Sequence, residues 1–377
     1  MIIRLHPTAP WRIGPDSGDR DRVDRVYHSD SLYSAVCTAM NRLGMLEEWL
    51  QATARAAEPA VKFSSCFPFQ GDTLFVIPPR SLWPPPPSAK VRWKGAQFVP
   101  LSVVEDLIHG RAIKEENWSV DGASECLIPQ GSQGPFRVAV RSNAAIDRHG
   151  SGVAPHSSAC LEFAPKSGLW FMASLRDSDK WKQPLTAALR LLADSGFGGE
   201  RSRGWGRAEM SFSDQDALLT APEGETAWWL LSLFHPSSGD SVDWRRGDYT
   251  LTTRSGRVES RGDSKRATRM VCEGSVIVAP AEPRGAATDV APEDFPHPVY
   301  RAGFAFAIRI PGVVEQWQRP QPPPAVVITE ALPETAEPEP IAVNVVEITP
   351  EPVPEPPEEP PLPEPEPDKP EEPEPTE

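Results

Sequence analysis

Sixteen residues, 194–209, read DSGFGGERSRGWGRAE and hold five glycines (Gly196, Gly198, Gly199, Gly204, Gly206) and three arginines (Arg201, Arg203, Arg207). Helical periodicity leads in through TAALRLLADS and a strand-like RAEMSF leads out, so this run is a loop joining a helix to a strand. Glycines this dense permit positive φ and let main chain lie directly against a ligand. Backbone N–H groups in such a loop form an anion nest, and guanidinium forks beside it suit phosphate. The same pattern also makes a basic surface loop, and both readings are open at this point. Two nucleotide-loop templates are excluded: no GxxxxGK[ST] exists, and GFGG (196–199) follows a helix and precedes a strand, the reverse of a dinucleotide fingerprint. A polymeric phosphate backbone fits the loop better than a mononucleotide.

Charge bears on that reading. The net charge of -15 over 377 residues is concentrated in residues 320–377, with sixteen acidic residues, one lysine and 20 of the 45 prolines. Residues 1–319 carry 37 basic and 37 acidic side chains and are neutral. Glu and Pro without aromatics cannot bury enough surface to offset ordering entropy, so a disordered acidic tail is expected over 319–377. Five scattered cysteines without a CxxC predict neither a disulfide framework nor a zinc site. The start, MIIRLHP, lacks the pattern of a signal peptide, and no apolar run is long enough to span a bilayer. The expectation is a cytoplasmic chain with no membrane contact, metal or cofactor.

Along the chain, IIRLH (2–6) predicts a strand and SDSLYSAVCTAMNRLGMLEEWLQATARAA (29–57) a helix capped by Ser29 or Asp30, with His28 just before it. Residues 62–79 predict two strands around a Gln70–Asp72 turn, 98–110 a short helix, and 111–134 irregular chain. FRVAVRS (136–142) predicts a strand, followed by a polar hairpin or disordered excursion that Arg137, Arg141, Arg148, His149 and His156 make basic. Two more strands and the helix 181–195 complete the order strand, helix, strands, helix, glycine loop, strand. That order matches an elaborated βαββαβ ferredoxin-like unit with an antiparallel sheet. A second, strand-rich region opens with TAWWLLSLFHP (226–236), read as one long strand, and includes Arg266 and Arg269 beside the EGS turn (273–275).

Several pieces together resemble one family. HSDSLYSAVCTAM (28–40), SSCFPFQGDTLFVIP (64–78), the glycine loop, and MVCEGSVI with HPVYRAGFAFAIRI resemble the fourth subunit of the Csm-type (type III-A) CRISPR effector complex, a member of the RAMP superfamily. The resemblance implies an α+β chain of two ferredoxin-like (RRM-like) RAMP domains with antiparallel sheets, 1–215 and 216–318, plus the disordered Pro/Glu-rich tail 319–377. It implies a non-catalytic RNA-binding subunit that holds the 5′ tag of the crRNA. It also implies docking of the large polymerase-like subunit and contact with the backbone RAMP subunit of the Csm complex. RNA contacts carry over to His28, Ser29, Asp30, Gly196, Phe197, Gly198, Gly199, Arg201, Ser202, Arg203, Gly204 and Trp205. The excursion 141–158 corresponds to the family's projecting hairpin, with Arg141 and Arg148 on it, and Arg266 and Arg269 join the set. Phe197 and Trp205 are the candidates for base stacking. Two other classes stand beside this one. A RAMP-type endoribonuclease would need His28, Tyr27 or Lys265 for acid–base work, and a protein-only scaffold would use tryptophans as anchors.

Overall fold

Alternate residues of β1 (Ile2–Pro7) place Ile3 and Leu5 in the core without exposure, which sets this strand inside the largest sheet. The computed structural model describes residues 1–15, 18–85, 93–146, 152–214, 226–258 and 262–312. Residues 1–319 form one unit and 320–377 another; the tail expected over 319–377 lies outside the described residues.

After β1 come α1 (Ser29–Arg42), α2 (Leu46–Ala52), β2 (Val61–Phe63), β3 (Phe67–Gln70), β4 (Thr73–Val76), β5 (Val99–Pro100) and α3 (Leu101–Ile108). Then follow β6 (Trp118–Asp121), β7 (Cys126–Pro129), β8 (Phe136–Ile146), β9 (Val153–Phe163), β10 (Ser167–Leu175), α4 (Ser178–Ser195) and β11 (Ala208–Ser213). The sheet order is β11–β1–β10–β3–β4–β5, with β2 also on β10. Its pairs are antiparallel. Thus α1 links β1 to β3 across β10, and α4 links β10 to β11 across β1. Apolar residues of both helices (Leu32, Val36 and Met40; Leu185, Leu189 and Leu192) share one core with that sheet.

The second region supplies β12 (Thr226–Leu230), β13 (Asp243–Asp248), β14 (Leu251–Arg254), β15 (Thr268–Val271), β16 (Val276–Val278), β17 (Gly285–Asp289), β18 (Tyr300–Phe304) and β19 (Ala307–Pro311). These make a four-stranded sheet, β13–β16–β12–β19, and the pairs β14–β15 and β17–β18. The chain is therefore mixed α/β, with several antiparallel sheets and few helices among the described residues. Trp229, Leu231, Val276 and Phe304 enter the same core as the first sheet.

Three local expectations change, and one open choice is resolved. The long helix breaks at Gly44, whose φ of 72° stops α1 and lets Met45 lead α2. Residues 118–129 are a hairpin rather than irregular chain, with Asp121 accepting from Ser124 N–H at 2.8 Å at its turn. Of the two readings of the excursion, hairpin or disordered run, the hairpin is the one found: β8 and β9 pair over eleven residues each, from Phe136–Phe163 to Ile146–Val153. The strand from 226 ends at Leu230, because Ser232 Oγ then donates to Phe304 O and Leu233 N–H donates to Ser29 Oγ.

That last bond begins the junction between the two regions. Neither Ser29 nor Asp30 caps α1 with its side chain. Asp30 instead accepts from Arg254 Nη2 (3.1 Å) and Nε (3.2 Å) and from Arg301 Nη1 (2.7 Å), and all three side chains are buried. Burial alone would raise the Asp30 pKa, but the charges of Arg254 and Arg301 and the Arg254 hydrogen bond hold it at about 2. A buried ion pair owes little net stability to its attraction, yet losing one partner strands the other charge. Asp30→Asn is therefore expected to cost about 3–5 kcal/mol in denaturant unfolding. Because the pKa is depressed, the native contribution is present above the ordinary aspartate value and is lost as pH falls toward 2. Acid melts should show that loss in the native chain and not in the variant.

Candidate nucleic-acid interface

The glycine loop starts where α4 stops. Gly196 N–H donates to Leu192 O at 2.7 Å, and Gly196 turns the chain with φ 96°. Phe197 N–H then donates to Gly206 O at 3.0 Å, Gly199 N–H to Arg12 O at 2.8 Å, and Gly206 N–H to Pro10 O at 2.9 Å. The glycines that matter most are those where main chain touches main chain. A Cβ on Gly206 would lie 2.0 Å from Phe197 O, and one on Gly198 would lie 2.3 Å from Arg12 O. Both also have positive φ. The loop is a closed main-chain knot, fixed to the segment after β1.

Its aromatic residues lie inside the knot. Phe197 is stacked on Trp11 at 5.2 Å and meets Tyr27 edge-on at 6.1 Å, and both Phe197 and Trp205 are buried. The expectation that their faces stack on bases is corrected: Phe197 gives its ring to the core, and Trp205 is closed in under the loop. What faces outward is the single turn Arg201–Arg203, flanked by Glu200 and Gly204 in the left-handed region, together with the exposed Arg207. Ser202 and Arg203 are exposed and Arg201 is half-buried. Together with Arg42, Ser195, Gly198, Gly199 and Glu200, Arg201 and Ser202 line an open hollow of ≈ 570 Å³.

The hairpin β8–β9 reaches this turn. Arg203 Nη1 lies 3.2 Å from Glu200 Oε2, and its Nη2 lies 3.0 Å from His156 Nε2. Since a guanidinium only donates, His156 accepts through Nε2 and is neutral in this bond. Arg141, on the opposite strand, pairs with Glu162 at 2.6 Å, and Arg137 takes the other oxygen of the same carboxylate at 2.8 Å. Arg148 lies outside the described residues. Arg266 and Arg269 are exposed and belong to a different place, at and just before β15, where Arg266 Nη2 donates to Asp289 O at 2.9 Å.

His28, Ser29 and Asp30 do not join that surface. Ser29 N–H donates to Ser65 Oγ at 2.8 Å, and Ser65 Oγ donates to Glu273 Oε1. His28 bridges two carboxylates, Nδ1 at 2.8 Å from Glu273 Oε1 and Nε2 at 3.3 Å from Asp24 Oδ2. Burial alone would lower the His28 pKa, but the Glu273 charge and the bonds to Asp24 and Glu273 raise it to about 10. Sequence reasoning missed the partners Glu273, Arg254 and Arg301, which are more than 200 residues away in the chain. It also missed Arg12, which carried no periodicity or motif to mark it, and it placed His156 in the basic excursion without its link to Arg203. Among the described residues, no His, Cys, Asp and Glu group is arranged to hold a metal, and no helix is long and apolar enough to cross a membrane.

The family model of the CRISPR Csm4 C-terminal domain matches residues 223–310. Among solved structures, a chain of the Csm3–Csm4 subcomplex of a type III-A CRISPR-Cas interference complex superposes with a TM-score of 0.56 at 16% identity. The match covers 82% of this chain and 98% of that one. A chain of a Csm1–Csm4 cassette in complex with cA4 gives 0.51 at 19% identity, covering 82% of this chain and 96% of that one. At such identities the likeness is one of fold. No curated protein matches the chain in sequence.

Two measurements test this geometry. Gly206→Ala should destabilise the chain by several kcal/mol, because the new carbon meets carbonyl oxygen as well as positive φ. Gly204→Ala, with φ 78° and nothing nearer than 3.9 Å, should cost only about 1 kcal/mol. Equal losses in denaturant melts would contradict the knot. His28→Gln tests the carboxylate bridge. A raised histidine pKa contributes fully below the ordinary value near 6.5 and fades as pH rises through about 10. The stability gap between native chain and variant should therefore be largest near pH 6 and narrow toward pH 10.5.

Proposed function

We propose that this chain, whose residues 223–310 match the Csm4 C-terminal domain, is a non-catalytic RAMP subunit of a type III-A CRISPR effector complex that holds the 5′ tag of the crRNA. The observation that carries this reading is the glycine loop, a rigid main-chain knot that turns Arg201, Ser202 and Arg203 outward beside an open hollow. Single-stranded RNA is held by a cationic groove that follows its backbone, and a preformed groove loses little freedom on binding. Neutrality of the 1–319 body restricts this to a local patch within an assembly, with other subunits adding charge. Csm1 and Csm3, named with Csm4 in the solved assemblies, are the proposed large-subunit and backbone-subunit neighbours. The setting is cytoplasmic.

The strand order β11–β1–β10–β3, with two helices crossing between parallel strands, supports a ferredoxin-like domain over 1–215. The family match from residue 223 supports a second domain over 216–318, taken as ferredoxin-like by relation to the first. Within the first, β8–β9 is the projecting hairpin. His28 argues against the endoribonuclease reading: both ring nitrogens are engaged by carboxylates, Glu273 and Asp24, so neither is turned toward a strand to take or give a proton.

Replacing Arg201 and Arg203 by Ala is expected to weaken crRNA retention in the reconstituted complex about tenfold. It should also flatten the slope of log K against log salt by about 1.4, since each single-strand phosphate contact contributes about 0.7. Crosslinking should join the tag to the glycine loop. Unchanged retention at every salt concentration, with no crosslink, would leave a scaffold that contacts only protein.

A further inference from the structure

Three segments meet at Arg12. Its main chain pairs with Gly199, which donates to Arg12 O at 2.8 Å. Its guanidinium is buried and donates to four carbonyls. Nη1 reaches Arg20 O at 2.8 Å, Arg22 O at 3.3 Å and Ala159 O at 2.9 Å, and Nη2 reaches Asp19 O at 2.8 Å. Ala159 N–H donates to Arg20 O at 2.9 Å, so the segment 18–24 is laced to β9 as well. One side chain therefore ties that segment to the hairpin, while its own carbonyl ties both to the glycine loop.

This arrangement fixes which way the segment faces. Carbonyls from residues 19, 20 and 22 converge inward on a single cation, and Arg20, Asp21 and Arg22 are exposed. Ala159 is three residues from His156, the residue that receives Arg203. Asp24 is already engaged by His28. Asp19 and Asp21 alternate with the arginines, so the segment alone is not a basic block. Arg12 beneath it and Arg201 and Arg203 on the linked loop shift the local balance toward an anion.

We propose that 18–24 is a further RNA-contacting element, with Arg20 and Arg22 taking phosphates of the strand that the glycine loop holds, and with Arg12 as the positioning residue that sets it. The inference rests on the RNA-binding function proposed above. Lysine at position 12 keeps the charge but offers one nitrogen where the guanidinium spreads its donors over two, so it cannot hold the same carbonyls.

The test uses the effector complex reconstituted with the full chain and a fluorescein-labelled crRNA, followed by anisotropy over a salt series. Arg20→Ala with Arg22→Ala should weaken binding about tenfold and flatten the salt slope by about 1.4, with the melting temperature unchanged. Arg12→Lys should produce a similar loss, and adding it to the Arg20/Arg22 variant should lose little more, because both remove the same contact. Fully additive losses would overturn the positioning role. Should the Arg12 variant not fold, the exposed pair decides the RNA contact alone. Native affinity and slope in the Arg20/Arg22 variant, with loss in the Arg201/Arg203 variant, would overturn this inference and leave the glycine-loop reading intact. Native binding in both variants would end both.

Discussion

One carboxylate joins the two halves of the body. Asp30, at the start of α1, is bonded to an arginine at the end of β14 and another in β18, with no water-facing side to relax into. In that setting the charges are worth little as a sum and much as a set, because none can be removed without stranding another. Beside it, Ser29, Ser65, His28 and Glu273 extend the polar seam, and both sheets reach one hydrophobic core around it. The glycine loop is tied to this seam through aromatic contact: Tyr27, next to His28, meets Phe197, and Phe197 is stacked on Trp11 in the core.

The glycine loop shows what dense glycine does here. Its positive φ values and missing Cβ atoms serve contacts of main chain with main chain, at Phe197 O and Arg12 O, before they serve any ligand. The arginines are then presented from a turn that cannot shift independently of its support. The neutral His156 that accepts from Arg203 extends the same support to the hairpin.

How much was legible depended on whether a signal was local. The helix of Leu32, Val36 and Met40, the strand of Ile3 and Leu5, and the helix–loop–strand around Gly196 could all be read from periodicity and composition. Gly44 could not, because one glycine in a helical pattern is tolerated as often as it terminates. The hairpin beyond Ser142 was legible only as one of two readings, because Asn, Ala and Ser carry a weak strand preference, and pairing across the hairpin overrides it. Among site residues, the outward arginines were visible as composition. The inward fate of Phe197, Trp205 and Asp30 was not, since it is decided by Trp11, Arg254 and Arg301, which lie far away in the chain.

The stacking of Phe197 on Trp11 has a kinetic consequence. A loop whose ring belongs to the core cannot swing aside to admit or discharge a strand without opening that core. On the function proposed here, loading proceeds by the RNA conforming to a standing surface, and residence time is governed by how the strand peels away nucleotide by nucleotide. In that proposed role the loop suits a component captured once, during assembly, and kept through many later encounters.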